Sequence, residues 1–196
     1  MTRPVFESFP KIPRLRRHCI ISEKIDGTNA QICITPDGEI YAGSRNRWID
    51  VNQDNAGFAR WVEDHNDELI SGLGPGTHYG EWWGQGINRR YGLNEKRFSL
   101  FNSERWTDEV RPKCCHVVPV LYRGGFSDEA VQQALLYLRQ SGSAAAPGWM
   151  NPEGVVVYMT SSSSMYKILL DNDELPKGIT TYGERKAAET AQVRMG

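Results

Sequence analysis

The chain carries almost no surplus of charge: 23 lysines and arginines stand against 24 aspartates and glutamates, a formal net charge of −1. Binding to nucleic acid through a general positive field is thereby excluded, and any such contact must come from a local patch. Long apolar runs are missing too. None approaches the roughly 20 residues that span a bilayer, and the opening Met1 to Pro10 lacks the apolar core of a secretory leader. A soluble, cytoplasmic protein with no membrane partner is expected. Cysteine is scarce: Cys19, Cys33, Cys114 and Cys115 are the only four, and Cys114-Cys115-His116 has no zinc-binding spacing. Reduced, structural thiols are expected. There is no internal repeat, and the only low-complexity segment, Ser161 to Ser164, reads as a hairpin turn.

What is present is enough for one core. At 196 residues and 39% hydrophobic content the chain has the size of a single domain, so 1–196 is expected to fold as one unit. An apolar run from Ala30 to Thr35 meets Pro36-Asp37-Gly38 and resumes at Ile40 to Gly43, the signature of a β-hairpin. Phe58, Trp61, Val62 and Leu69 fall at helical spacing between Asp54 and Leu69, and Gly72 to Gly76 ends that periodicity. A second helix is expected over Ser127 to Arg139, opened by Ser127-Asp128-Glu129 and followed by a small-residue loop, Ser141 to Gly148. Strands are expected over His78 to Trp83, Phe98 to Asn102, Val117 to Tyr122, Gly154 to Met159 and Met165 to Leu170. Strands thus outnumber helices, which points to an α+β fold with mixed, mainly antiparallel sheets.

The string with most chemical content is Ser22-Glu23-Lys24-Ile25-Asp26-Gly27-Thr28-Asn29. A lysine at the end of an apolar strand, before an Asp-Gly turn, is held partly away from water, which favours the neutral and nucleophilic amine. Asp26 points to the same side of an extended chain. Alone, Lys-x-Asp-Gly marks a turn as readily as a nucleophile. Its weight comes from the strings that follow in order: Ser44-Arg45-Asn46-Arg47, Gly80-Glu81, Phe98-Ser99-Leu100-Phe101, Glu153-Gly154-Val155-Val156-Val157 and Tyr166-Lys167.

Taken together, these strings resemble the covalent nucleotidyltransferase superfamily of ATP-dependent ligases and mRNA capping enzymes. The resemblance implies a nucleotidyltransferase domain, the ATP-grasp-like adenylylation domain of ligases, in which Lys24 forms a lysyl-AMP. Asn29 stands where the ligases that seal breaks in duplex RNA carry asparagine, and Phe9-Pro10-Lys11-Ile12-Pro13 is similar to the entry segment of that group. An ATP-dependent RNA ligase is therefore expected, using ATP and Mg²⁺ (or Mn²⁺) to join an RNA 5′-phosphate to a 3′-hydroxyl. The roles implied are catalytic for Lys24, Asp26 and Lys167. Nucleotide binding falls to Glu23, Lys24, Arg45, Glu81, Phe101 and Lys167, contact with RNA to Asn29 and Arg45, and metal ligation to Glu153.

Three features depart from the superfamily pattern. Leu169 stands where a second lysine is usual and Asn102 where aspartate is common. The stretch from Lys167 to Gly196 is also too short for the OB or other C-terminal domain that members usually add, so none is expected. These departures keep three alternatives open: a catalytically degenerate nucleic-acid-binding module, a DNA ligase and a guanylyltransferase. They also imply an accessory protein that grips RNA, and a role for Lys177 in place of the lysine absent at Leu169.

Overall fold

In the computed structural model, residues 17–171 and Ser8 are described; Phe9 to Pro13 and Lys177 lie outside this range. Two sheets, each with its own helical cover, share a boundary where the chain repeatedly crosses from one to the other.

The first sheet has the order β10-β9-β1-β8. Its centre is β1 (His18–Lys24), whose Cys19, Ile20 and Ile21 are all buried because β8 (Val120–Gly125) and β9 (Gly154–Met159) pair antiparallel on either side. The outer strand is β10 (Ser164–Leu169). Helix α3 (Asp128–Ser141) covers one face, packing Ala130, Val131, Ala134, Leu135 and Leu138 against Cys19, Ile21, Val155 and Val157. It starts as the sequence predicts: the Ser127 hydroxyl accepts from the Ala130 amide at 3.2 Å, and Asp128 and Glu129 face the positive end of the helix dipole.

The second sheet has six strands in the order β4-β3-β2-β5-β6-β7. They are β2 (Thr28–Ile34), β3 (Ile40–Ser44), β4 (Trp48–Ile49), β5 (Gly76–Gly84), β6 (Lys96–Leu100) and β7 (Cys115–Val117). The expected hairpin joins β2 to β3: the Gly38 amide donates to the Thr35 carbonyl at 3.0 Å, with Gly38 at φ 85°. Ala30, Ile32, Ile34, Ala42, Trp82, Phe98 and Leu100 alternate onto one face, where Phe58, Val62, Leu69 and Leu73 meet them.

Two expectations are corrected. The single helix over Asp54 to Leu69 is two, α1 (Phe58–Asp64) and α2 (Asn66–Leu73), broken at His65. The His65 amide and Nδ1 both reach the Trp61 carbonyl, closing the first helix; the second then runs past Leu69 to Gly74. Trp61 is half-buried and stacks on Phe58 with ring centroids 5.8 Å apart. The strand expected over Val117 to Tyr122 is likewise divided. β7 pairs parallel with β6 in one sheet, and β8 pairs with β1 in the other. Between them Pro119, with no N–H to give to a ladder, marks the change of sheet. The Val118 amide donates to the Leu100 carbonyl at 3.1 Å, and the Pro119 carbonyl accepts from the Glu23 amide at 2.9 Å. The link therefore ties the sheets together.

All four cysteines are free thiols, and no helix among the described residues is long and apolar enough to cross a membrane. Helix α3 gives a direct test of the burial pattern. Leu138 is fully buried and Leu136 is 51% exposed. Leu138→Ala is expected to cost about 2–5 kcal/mol of stability and Leu136→Ala no more than about 0.5 kcal/mol, read from urea unfolding midpoints.

Candidate active site

A second crossing, Ile25-Asp26-Gly27, runs from the end of β1 to the start of β2 and carries the candidate residues. Lys24, last in β1, donates from Nζ to Glu153 Oε2 at 2.6 Å; the two side chains are 24% and 10% exposed. Glu153 directly precedes β9, whose Gly154 is the register partner of Lys24. A side chain at Gly154 would collide with the Ile168 carbonyl of β10, which explains the glycine in the Glu-Gly string.

The turn itself is held from the six-stranded sheet. The Gly27 amide donates to Glu81 Oε1 at 3.0 Å, and Asn29 Nδ2 donates to Glu81 Oε2 at 3.1 Å. Asn29 and Glu81 are register partners on β2 and β5, so their side chains share a face. A Cβ on Gly27 would lie 2.7 Å from Trp83 Cβ and 2.9 Å from Glu81 Cγ. Only glycine fits that approach.

Asp26 is gripped by residues that the sequence reading did not place in the site. Arg89 Nε donates to its Oδ2 and Asn88 Nδ2 to its Oδ1, both at 3.0 Å, while the Asp26 amide donates to the Tyr91 hydroxyl at 2.7 Å. Arg89 Nη1 also reaches Asn151 Oδ1 at 2.8 Å. These partners sit on the loop after β5, where Asn88, Arg90 and Tyr91 adopt φ of 41°, 60° and 51°, a region costly for residues with a side chain. The glycines at 84, 86 and 92 signal a tight loop in the sequence, but nothing there says what the loop holds.

Glu23 is 1% exposed and lies on the α3 side of β1. Its oxygens accept from the Ser143 hydroxyl at 2.6 Å and the Ala145 amide at 2.9 Å, so the small-residue loop after α3 cradles it. Arg45, Phe101 and Lys167 stand exposed. Among the described residues none of their side chains hydrogen-bonds to Lys24, Glu81 or Glu153. Register still relates them to the site. Arg45 follows β3, whose Ser44 pairs with Ala30, and Lys167 pairs with Val156, which pairs with Ser22 on the Lys24 face of β1. Leu169 shares the rung of Gly154 and Lys24. A cleft of about 570 Å³ lined by Trp83, Ser99, His116, Val118 and Ala145 contains none of the candidate residues.

Three carboxylates gather at the crossing: Glu153 pairs with Lys24, and Glu81 feels the charges of Lys24, Glu153 and Asp26. Among the described residues no cluster of three ligating side chains could enclose a metal, and Asp26 and Glu81 already accept hydrogen bonds at both oxygens. This set fits a hard cation that takes one carboxylate from the protein and the rest of its ligands from phosphate and water. Glu153 is the carboxylate that would hold it.

Burial pushes the Glu81 carboxyl up to about 7, offset in part by Lys24 and the Gly27 amide and reinforced by Glu153 and Asp26. A carboxyl with a raised folded pKa keeps its proton in the native state where the unfolded chain has lost it. Its contribution to stability therefore falls as pH rises from about 4.5 to about 7, by on the order of 3 kcal/mol. Glu81→Gln is expected to remove this slope, so that the variant gains on the parent between pH 4.5 and pH 8 in urea melts. An unchanged difference at the two pH values would show that Glu81 titrates normally.

Residues 17–169 match the RNA ligase family. The fold is similar to that of the Naegleria gruberi RNA ligase in several states. A mutant with ATP and Mn has a TM-score of 0.54 at 18% identity, over 79% of this chain and 50% of that one. The enzyme with PPi also gives 0.54 at 18% identity, over 78% and 49%, and an apo mutant gives 0.53 at 18% identity over the same shares. The chain thus spans about half the length of the ligase chains it matches. No curated protein matches it. On the family match, which covers well over half of its length, this chain belongs to the RNA ligase family.

Proposed function

We propose that residues 17–169 are the adenylyltransferase domain of an ATP-dependent RNA ligase, with Lys24 as the nucleophile. The observation that carries this reading is the Lys24–Glu153 pair at 2.6 Å, set at the sheet crossing beside Glu81 in a chain of this family. Before attack the ammonium must shed one proton to water, which breaks its hydrogen bond to Glu153 Oε2 and leaves that carboxylate ionised; a second proton leaves Nζ for water as the bond to phosphorus forms. Nζ then bonds to the α-phosphorus of ATP, the bond to the β-phosphate oxygen breaks, and pyrophosphate leaves with that electron pair. Mg²⁺ or Mn²⁺, with Glu153 as its protein ligand, would neutralise charge on the phosphates. The matched ligase structures with ATP and Mn support that choice of nucleotide and metal.

In this reading Glu81, held by Gly27 and Asn29, takes the ribose hydroxyls. Phe101 stacks on adenine, and Glu23 keeps β1 in place beneath the nucleotide. Asp26, fixed by Arg89 and Asn88, sets the turn that presents Lys24, while Lys167 and Arg45 supply positive charge to the phosphates. AMP then passes from Lys24 to an RNA 5′-phosphate, and an RNA 3′-hydroxyl displaces it. Asn29 and Arg45 are assigned to contact those ends. An accessory protein is proposed as a further grip on RNA. Four free thiols fit work in the reducing cytoplasm.

Leu169 favours one second reading, since it places an uncharged residue in the rung of Lys24 where the pattern has lysine. A non-catalytic RNA-binding module would carry that change without loss. Incubation with α-labelled ATP and Mg²⁺ separates the two. We expect label that survives denaturation on the parent protein and none on Lys24→Ala. Absence of label on the parent would support the binding module, and label from GTP alone a guanylyltransferase. Sealing of nicked DNA in preference to RNA would reassign the substrate.

A further inference from the structure

The six-stranded sheet has a helix-covered face and a second face bearing Glu81 and Asn29. Strand alternation puts Gln31, Gly43, Tyr79 and Phe101 on that second face, opposite Ile32, Ala42 and Leu100. A single rung crosses it: Trp48 pairs with Gly43, Gly43 with Gln31 and Gln31 with Tyr79, and the Phe101 amide donates to the Tyr79 carbonyl at 3.0 Å. Trp48 is 56% and Tyr79 59% exposed. Between these rings the floor is flat. Gly43 has no side chain, and Gln31 lies across it, with Cγ 2.7 Å from where a Cβ would be. Tyr41 braces Trp48 with ring centroids 6.1 Å apart and is itself tied to Glu39 at 2.7 Å.

Single exposed rings are ordinary; two of them on one rung, flanking a low floor beside a nucleotide site, are a surface with a purpose. The next rung toward the crossing is Asn29–Glu81, so the row is continuous with the site of the proposed reaction. Its charge fits as well. Arg45 and Arg47, both exposed, immediately precede Trp48. In the pairs Arg105-Trp106 and Arg90-Tyr91 the ring is buried and cannot receive a base: Trp106 lies under Arg105 at 4.5 Å, and Tyr91 packs against Trp83.

Resting on the RNA-ligase reading, we propose that this face is a platform for unpaired RNA, on which Trp48 and Tyr79 each stack a base while Arg45 and Arg47 meet the backbone. The rings stand three strand spacings apart, about 14 Å, so the ligand is a short single strand of a few nucleotides leading to Lys24. Bases inside an A-form duplex stay stacked on one another and cannot splay onto these rings. The substrate class named by this surface is thus an RNA with an unpaired end.

The test measures fluorescence anisotropy of a labelled, 5′-phosphorylated single-stranded oligoribonucleotide, and of the same strand in a blunt duplex, with the full chain. Trp48→Ala and Tyr79→Ala are each expected to weaken single-strand binding about tenfold. Trp48→Phe should keep most of the affinity, and duplex binding should change less than about twofold, because it does not use stacking. Label from α-labelled ATP should be unchanged in all three variants. Unchanged single-strand affinity in both alanine variants would overturn the proposal, as would an equal loss for duplex, loss of self-labelling, or a change of oligomeric state alone. If the parent takes no label from ATP but its single-strand binding still depends on Trp48 and Tyr79, the ligase reading falls and the platform stands.

Discussion

Everything in the candidate site depends on the short crossing Ile25-Asp26-Gly27, which must leave one sheet and enter the other without room to relax. Glu81 fixes its far end by taking the Gly27 amide and the Asn29 side chain, and Arg89 and Asn88 fix its middle through Asp26. Lys24 inherits its position from these contacts. A side chain on Gly27 would press on Trp83 and Glu81, so the turn cannot shift without moving β5. Lys24 is thus oriented by the backbone geometry of the crossing together with its own contact to Glu153 at 2.6 Å.

The electrostatics follow from the same crowding. A protein of almost zero net charge gathers Asp26, Glu81, Glu153, Lys24 and Arg89 at one boundary. Burying several carboxylates is tolerable only when each is paired or hydrogen-bonded, and here each is. No buried side-chain polar atom lacks a partner among the described residues. Burial is what holds the Glu81 proton so far up the pH scale, with Lys24 and the Gly27 amide offsetting it only in part.

Much of the frame was legible in the sequence because it is local. Pro36-Asp37-Gly38 and Ser127-Asp128-Glu129 each specify a turn or a cap within a few residues. The ordered strings from Lys24 to Lys167 gave the family, because the chemistry fixes residue types at strand ends. The His65 break could not be read, since the apolar spacing of Phe58, Val62 and Leu69 runs through it. Pro119 was a visible signal, but its effect depends on which sheet waits on each side. The partners of Asp26 were illegible for a different reason. Arg89 is 63 residues away in the chain, and nothing in Gly86-Ile87-Asn88-Arg89-Arg90-Tyr91 distinguishes an arginine turned inward from one facing RNA.

The position of β1 at the centre of the four-stranded sheet also bears on how the protein comes into being. Both neighbours of β1 lie far downstream, and the partner of Lys24 is 129 residues away. As the chain leaves the ribosome, β2, β3 and β5 can pair early, whereas β1 must wait for residues 120–159. Such long-range pairing is the slow, entropically costly part of folding. The ion pair that holds Lys24 therefore closes among the last contacts to form, and a nascent or truncated chain carries the lysine without the partners that fix its position.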